Sequence, residues 1–447
     1  MELAGKRVLV VGLGVSGRAA ALLCRDHGAR VTACDLSPAP AGMDELASAG
    51  VRLILGAQPP LEFTAAEVVV LSPGVDHRRP EVEAAVEAGA LVLGELELAW
   101  RFLATPAVAI TGTNGKSTVT TLVGRMLAQG GQEVFVGGNL GTPLAEYVRG
   151  PQRAAWAVLE VSSFQTDTAL TLRPRVAVIL NITDDHLDRY ESFAAYGDSK
   201  FRLLAQQAGD DVAVLCGDDP EVMARRHLAP AQAWAYGAAG PRRPGGWLEQ
   251  GQLVLAPVGG GEIRLAPSPA LPGEFNLLNQ LAAGLAALAA GAAPEHLARA
   301  LGEFRALRHR LELVALREGV AWFDDSKGTN VGAVAAALRA VERPTVLLLG
   351  GRDKEGRFAA LGPLLAETVR LVILFGEAGP AIQPQIAGFA PLRRVEGLAE
   401  AVALAKAEAQ PGDAVLLSPG CASFDAYPGY AARGEHFQSL VKGGVHG

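Results

Sequence analysis

The segment Ile110-Thr111-Gly112-Thr113-Asn114-Gly115-Lys116-Ser117-Thr118 restricts the possible folds of this chain more than any other. It follows the apolar run Val108-Ala109-Ile110 and leads into a helical pattern, so it reads as a strand-to-helix turn whose backbone N–H groups cradle a phosphate. Turns of this kind belong to α/β sheets, where ligands collect at the carboxyl ends of the strands. Lys116 is placed to reach β- and γ-phosphates, and Ser117 to hold Mg²⁺. Ile110 stands where G-x-x-x-x-G-K-[ST] has its first glycine, which makes the loop a shortened variant. Such a loop needs an acidic metal partner on a neighbouring strand, and Glu160 ends Ala157-Val158-Leu159 in that position. Asp184, Asp185, His186 and Asp188 follow the next apolar run, Val176 to Leu180. For Glu160 the plain alternative is a solvated strand-end carboxylate; for His186 it is an ordinary loop histidine. Metal binding or general acid/base work is the chemical reading.

A second glycine loop, Gly12-Leu13-Gly14-Val15-Ser16-Gly17, follows Val8-Leu9-Val10-Val11 and is succeeded by Asp35 at the end of the next strand. This matches the dinucleotide fingerprint in spacing and context. On the motif alone NAD or FAD, another nucleotide, or a structural turn all remain open. Apolar runs alternating with Ala-rich helical patterns predict a doubly wound parallel sheet up to about Leu103, and a second series starts after Pro106. The Gly/Pro-rich stretch from Gly237 to Gly273 contains alternating pieces at 252–255 and 262–265 that read as hairpin strands edging that second sheet. Runs at 346–349, 372–375 and 414–417 predict a third α/β unit. The expected architecture is therefore three α/β domains: an N-terminal Rossmann-like nucleotide-binding domain (1–104), a central P-loop ATPase-like domain (105–305) and a C-terminal Rossmann-like domain (306–447).

With 49% hydrophobic and 19% charged residues, 447 residues supply several cores and leave no case for global disorder. A net charge of -7 argues against a nonspecific nucleic-acid binder. The four cysteines, Cys24, Cys34, Cys216 and Cys421, are far apart, which suits a reducing compartment better than a disulfide scaffold or a zinc site. Strand-like residues begin at Lys6, so no export signal is expected. The Ala/Leu-rich stretch from about Leu281 to Ala293 is shorter than the ~20 residues of a spanning helix and reads as a buried one. A cytoplasmic location without a membrane anchor follows as the expectation.

Taken together, the phosphate loop, Leu159-Glu160-Val161-Ser162-Ser163-Phe164-Gln165, Asn181-Ile182-Thr183-Asp184-Asp185-His186-Leu187-Asp188 and Tyr196-Gly197-Asp198-Ser199-Lys200-Phe201-Arg202 resemble the Mur ligase family of peptidoglycan-precursor amide ligases. Arg308-His309-Arg310-Leu311-Glu312, Asp324-Asp325-Ser326-Lys327-Gly328-Thr329-Asn330, Gly350-Gly351-Arg352-Asp353-Lys354 and the stretch from Ser418 to Asp425 resemble its D-glutamate-adding branch. The resemblance runs from about residue 10 to 440.

What it implies is ATP-dependent joining of D-glutamate to UDP-N-acetylmuramoyl-L-alanine through an acyl phosphate, by a monomer using two Mg²⁺. ATP would meet Gly112, Thr113, Asn114, Gly115, Lys116, Ser117, Thr118, Asn279, Arg310 and Asp325. The UDP-precursor would meet Gly14, Val15, Ser16, Asp35 and Ser72, with Asn139 and Gln165 at the muramoyl portion. D-Glutamate would meet Thr329, Lys354, Ser423 and Tyr430. Ser117 and Glu160 would hold one Mg²⁺; His186 and Lys200, the latter carbamoylated by CO₂, would hold the other. Lys116, Glu160, His186, Lys200 and Lys327 form the implied catalytic set, with His186 a candidate base for the incoming amine. Closure of the C-terminal domain through a hinge at 304–311 is also expected. The sequence departs from relatives at Leu36-Ser37-Pro38, where a polar residue and Arg are common, at Phe275 in place of His, and at Tyr430 in place of Phe. The alternatives are a folylpolyglutamate synthase-type ligase, an NAD(P)-dependent oxidoreductase read from Gly12 to Gly17, and a noncatalytic precursor-binding subunit.

Overall fold

A computed structural model describes residues 1–354 and 356–443. Three sheets organise them, giving the three-domain α/β architecture. The first has five parallel strands in the order Arg52–Leu55, Arg30–Asp35, Arg7–Val11, Val68–Leu71, Leu91–Gly94. The second has nine, with Ala107–Thr111 between Trp156–Glu160 and Val176–Ile179, all parallel. Ala107–Thr111, Val68–Leu71 and Thr345–Gly350 are buried along their whole length, as runs of Val, Ile, Leu and Ala must be when helices cover both faces. Strands Gln252–Ala256 and Ile263–Leu265 pair antiparallel at one edge of the nine-stranded sheet, as the alternating pattern predicts. The expected buried Ala/Leu-rich helix spans Glu274–Ala289. It stops before Gly291, which takes φ 89°, and the next helix starts at Pro294. No helix of the described residues is long and apolar enough to cross a membrane.

The third sheet, of six strands, differs from expectation at one edge. A hairpin, Glu312–Arg317 and Val320–Asp324, precedes the parallel strands, its outer strand pairing antiparallel. Its turn residues Glu318 (φ 50°) and Gly319 (φ 79°) are both left-handed, the geometry that matches strand twist in a two-residue turn.

Packing divides the chain into two compact units. One comprises Met1–Asn181, Gly197–Pro267 and Leu278–Gly302; the other comprises Ile182–Tyr196, Ser268–Leu277 and Glu303–Gly447. In the first, the helix Glu95–Trp100 joins the five-stranded sheet to the nine-stranded one. Glu97 is fully buried and accepts hydrogen bonds from the backbone N–H of Leu170 (3.0 Å) and from both N–H (3.0 Å) and hydroxyl (2.7 Å) of Thr171, while Arg101 bonds it at 2.9 Å. Among the described residues Glu95 accepts only the N–H of Ala145 (2.8 Å), and its other oxygen is buried without a partner. Burial pushes the Glu95 carboxyl up to about 7, against the opposing pull of that one hydrogen bond.

That shift has a defined sign. The folded state keeps the Glu95 proton to about pH 7 whereas the ordinary value is 4.5, so its stabilising share is complete below pH 4.5 and is lost as pH rises through about 7. Glu95→Gln is expected to flatten this fall and to raise stability above pH 7 by on the order of 3 kcal/mol. Urea unfolding of both proteins at pH 5 and pH 8 checks it; identical pH slopes would contradict the assignment.

Candidate active site

At the carboxyl end of Ala107–Thr111 the chain turns into the helix Lys116–Ala128 through Gly112 (φ 147°) and Gly115 (φ 90°). Side chains at these positions would collide with Leu180 and with the amide of Asn279 respectively, so backbone conformation and space both call for glycine. Asn181, just past the adjacent strand, fastens the turn. Its carbonyl accepts the Thr113 N–H (2.8 Å), its side-chain oxygen accepts the Asn114 N–H (2.8 Å), and its NH₂ donates to the Asn114 carbonyl (2.9 Å). The Lys116 ammonium donates to the carbonyls of Gly112 (2.8 Å) and Thr113 (2.7 Å), which holds it at the loop. The Lys200 ammonium, on a side chain only 2% exposed, reaches the same Gly112 carbonyl at 3.3 Å.

Glu160 is in register with Ile110 on the neighbouring strand. Ser117 donates its hydroxyl to one Glu160 oxygen (2.5 Å) and Asn139 donates its amide to the other (2.8 Å). A buried carboxylate beside a hydroxyl is the oxygen donor set that a hard divalent cation such as Mg²⁺ takes. Thr113, Thr118 and Asn279 are buried around the same loop. Gln165 completes a capping box with Ser162, and its Nε2 is buried with no partner among the described residues.

The first glycine loop lies in the same unit. A side chain at Gly17 would overlap the Gly12 carbonyl, so helix and strand meet there without intervening atoms. Ser72 donates its hydroxyl to that carbonyl (2.7 Å). The Asp35 carboxylate accepts the N–H groups of Leu13 (2.6 Å) and Ser37 (2.7 Å), so it shapes the loop itself. Gly14 and Val15 are exposed and Ser16 is half-buried.

The second unit holds the remaining candidates. Asp185 accepts hydrogen bonds from the Lys354 ammonium (2.7 Å) and the Asn330 amide (2.9 Å). Burial would raise its pKa, but the charges of Lys354 and His186 and these hydrogen bonds outweigh burial and hold it at about 2. His186 is left-handed (φ 55°), donates its N–H to Asp185 (3.0 Å) and keeps its Nε2 3.7 Å from the same carboxylate. Thr329 and Lys354 line one pocket with Asp184, Asp185 and Asn330. Ser423 is buried and does not line it. The Lys327 ammonium sits over the Tyr430 ring, 4.0 Å from its centre. Asp325 accepts the Ser418 hydroxyl (2.7 Å) and the Leu311 N–H (3.2 Å); burial pushes its carboxyl up to about 7, with Ser418 and Arg310 pulling the other way.

Asn181, Asp185 and Asn330 lie inside the motifs that carry the family resemblance, but their partners are 67, 169 and 145 residues away, so no local pattern shows what they bond. Asn181→Ala removes both side-chain bonds to Asn114, and ATP affinity is expected to fall about ten-fold, the worth of one to two neutral hydrogen bonds. Nucleotide titration of both proteins tests this, and equal affinities would mean the turn is held without the asparagine.

Residues 6–94 match the family described as "Mur ligase MurD-like, N-terminal domain", residues 110–287 the "Mur ligase middle domain" and residues 309–421 the "Mur ligase, glutamate ligase domain". The UDP-N-acetylmuramoylalanine--D-glutamate ligase of Desulfosudis oleivorans is 43% identical over 446 residues, covering 99% of this chain and 97% of its own. Among solved structures, a pseudomurein peptide ligase type C from Methanothermus fervidus superposes with a TM-score of 0.63 at 18% identity, covering 98% of this chain and all of that one. A MurF ligase from Thermotoga maritima in complex with ADP gives 0.60 at 17% identity, covering 99% and 97%. These two share the fold, while the relative matched from end to end carries the family assignment: the chain belongs to the Mur ligase family.

Proposed function

We propose that this chain is the ATP-dependent ligase that joins D-glutamate to UDP-N-acetylmuramoyl-L-alanine in peptidoglycan precursor synthesis. The supporting observation is that the Lys116 ammonium is held at the Gly112 carbonyl beside the Ser117–Glu160 oxygen pair, with the Lys200 nitrogen reaching the same carbonyl. Such a cluster suits the charge that builds on a transferring phosphoryl group. The precursor carboxylate attacks the γ-phosphorus of ATP and ADP leaves, giving an acyl phosphate. The amine of D-glutamate then attacks the acyl carbon, forming the amide and expelling phosphate. Ser117 and Glu160 would hold Mg²⁺ from the phosphate-loop side, and the cation would supply charge neutralisation on the phosphate oxygens. Lys200 would serve as a carbamate, its neutral amine adding CO₂ with loss of one proton, and the resulting carboxylate together with His186 would hold a second Mg²⁺. His186 takes the amine proton.

Gly14, Val15, Ser16, Asp35 and Ser72 serve the UDP moiety, Asp35 through the loop it shapes, and the unpartnered Gln165 amide is a donor for the muramoyl portion. Thr329 and Lys354 receive a glutamate carboxylate, with Ser423 and Tyr430 completing recognition. Asn279, Arg310 and Asp325 contact ATP. The domains divide at 1–104, 105–305 and 306–447, and the enzyme works as a cytoplasmic monomer. The match of residues 6–94 to a MurD-like N-terminal domain favours this over a folylpolyglutamate-type ligase, and the phosphate loop favours it over an oxidoreductase.

Phosphate release from ATP is expected only with UDP-N-acetylmuramoyl-L-alanine and D-glutamate both present. Equal turnover with L-glutamate, or turnover without the precursor, would overturn the assignment. Lys200→Ala is expected to lose at least ~100-fold in kcat, in keeping with loss of a group stabilising the transition state, and to recover part of it with added short carboxylates. Full activity in the variant would remove the carbamate from the mechanism.

A further inference from the structure

We propose that Gln438, on the helix Tyr430–Lys442, is a positioning residue for Arg310, acting through the left-handed turn at His309 and Leu311. The inference rests on the reading of Arg310 as an ATP contact. Arg310 sits between two non-glycine residues in the left-handed region, His309 (φ 62°) and Leu311 (φ 46°). Backbone of this kind persists only where its surroundings hold it. Four bonds do so. The His309 N–H donates to Glu312 Oε2 (2.9 Å), its Nδ1 meets Asp324 Oδ2 (2.7 Å), its carbonyl accepts the Lys327 N–H (3.1 Å), and the Leu311 N–H donates to Asp325 (3.2 Å).

Two of the anchors, Glu312 and Asp324, are carboxylates, and Asp324 is completely buried. Gln438 ties them together: its Nε2 donates to Glu312 Oε2 (3.0 Å) and to Asp324 Oδ2 (2.9 Å), one hydrogen for each acid. His309, Glu312 and Asp324 offer ligand-type atoms within 4.8 Å of one another, and the amide donor occupies the bridging role a cation would otherwise take. The Lys442 ammonium donates to Gln438 Oε1 (3.3 Å), which orients the NH₂ end toward the acids. One turn earlier, Gly434 makes room for the imidazole, since any Cβ there would collide with His309. Positions 434 and 438 lie on one helix face. With an apolar side chain at 438, the two carboxylates would face each other without a shared donor and the turn bearing Arg310 would lose its frame.

The test uses the full chain and a nonhydrolysable ATP analogue, with the melting midpoint recorded for every variant. Gln438→Leu is expected to weaken binding about ten-fold. Gln438→Lys, whose ammonium can also bridge two carboxylates, should stay within about two-fold of the parent. Arg310→Ala should weaken binding, and adding Gln438→Leu to it should cost nothing more, because both act on one contact. If Gln438→Leu does not fold, Gln438→Asn, too short to span both acids, is read in its place. Unchanged binding in the Leu or Asn variant, equal loss in the Lys variant, no effect of Arg310→Ala, or additive losses in the double variant would each overturn the proposal. A parent protein that binds the analogue and is insensitive to position 438 refutes the positioning role alone, whereas a parent that binds no nucleotide refutes the functional reading.

Discussion

A strand that must become a helix within four residues fixes much of the first unit. Gly112 and Gly115 supply the backbone conformations, and their missing side chains admit Leu180 and Asn279 close to the turn. The adjacent parallel strands then set what else is near. Trp156–Glu160 brings a carboxylate into register with the loop, and Val176–Ile179 delivers Asn181 to its amides. A sheet in which the connections leave a central strand toward both sides opens its crevice there, so topology and chemistry coincide.

Buried ionisable groups are the second organising theme. Lys200, Glu160, Asp324 and Arg433 are each nearly or wholly inaccessible, which is costly unless hydrogen bonds replace water. Arg433 shows how fully that is met: it donates to the hydroxyl and carbonyl of Ser326 and to the carbonyls of Cys421 and Ala422, while burial lowers its pKa to about 10. The same helix carries Tyr430, whose ring receives Lys327 and whose carbonyl accepts the Ser326 hydroxyl. The loops of the second unit are thus framed from one helix by polar contacts.

Much of this was legible from the amino-acid order. Parallel strands buried on both faces announce themselves as continuous apolar runs, and both glycine loops sit where strand patterning gives way to helix. The hairpin from Glu312 to Asp324 was not legible, because its outer strand is an edge with Leu313 and Leu316 exposed and charged residues at both ends. The placement of Lys116 and Ser117 at the loop and of Glu160 at the end of the neighbouring strand was readable because each stands where an apolar strand run ends. The pairing of Asp185 with Lys354 and of Gln438 with Asp324 was not, since it joins segments 169 and 114 residues apart that only folding brings together. Asp35 shows what a fingerprint leaves out: spacing marked the residue, while only the fold shows that one oxygen accepts the Leu13 N–H of the glycine loop and the other the Ser37 N–H of the turn that follows Asp35.

The helix Glu95–Trp100 has a consequence for modularity. Its Glu97 terminates in the loop at Leu170 and Thr171, and its Glu95 in the N–H of Ala145, so the N-terminal sheet is keyed into its neighbour by side chains. Cutting between the two sheets would strand a buried carboxylate on one side and unsatisfied amides on the other. A chimera that exchanges the N-terminal domain for a relative's must therefore carry the lock and the key together, which makes the natural unit of recombination larger than the five-stranded sheet alone.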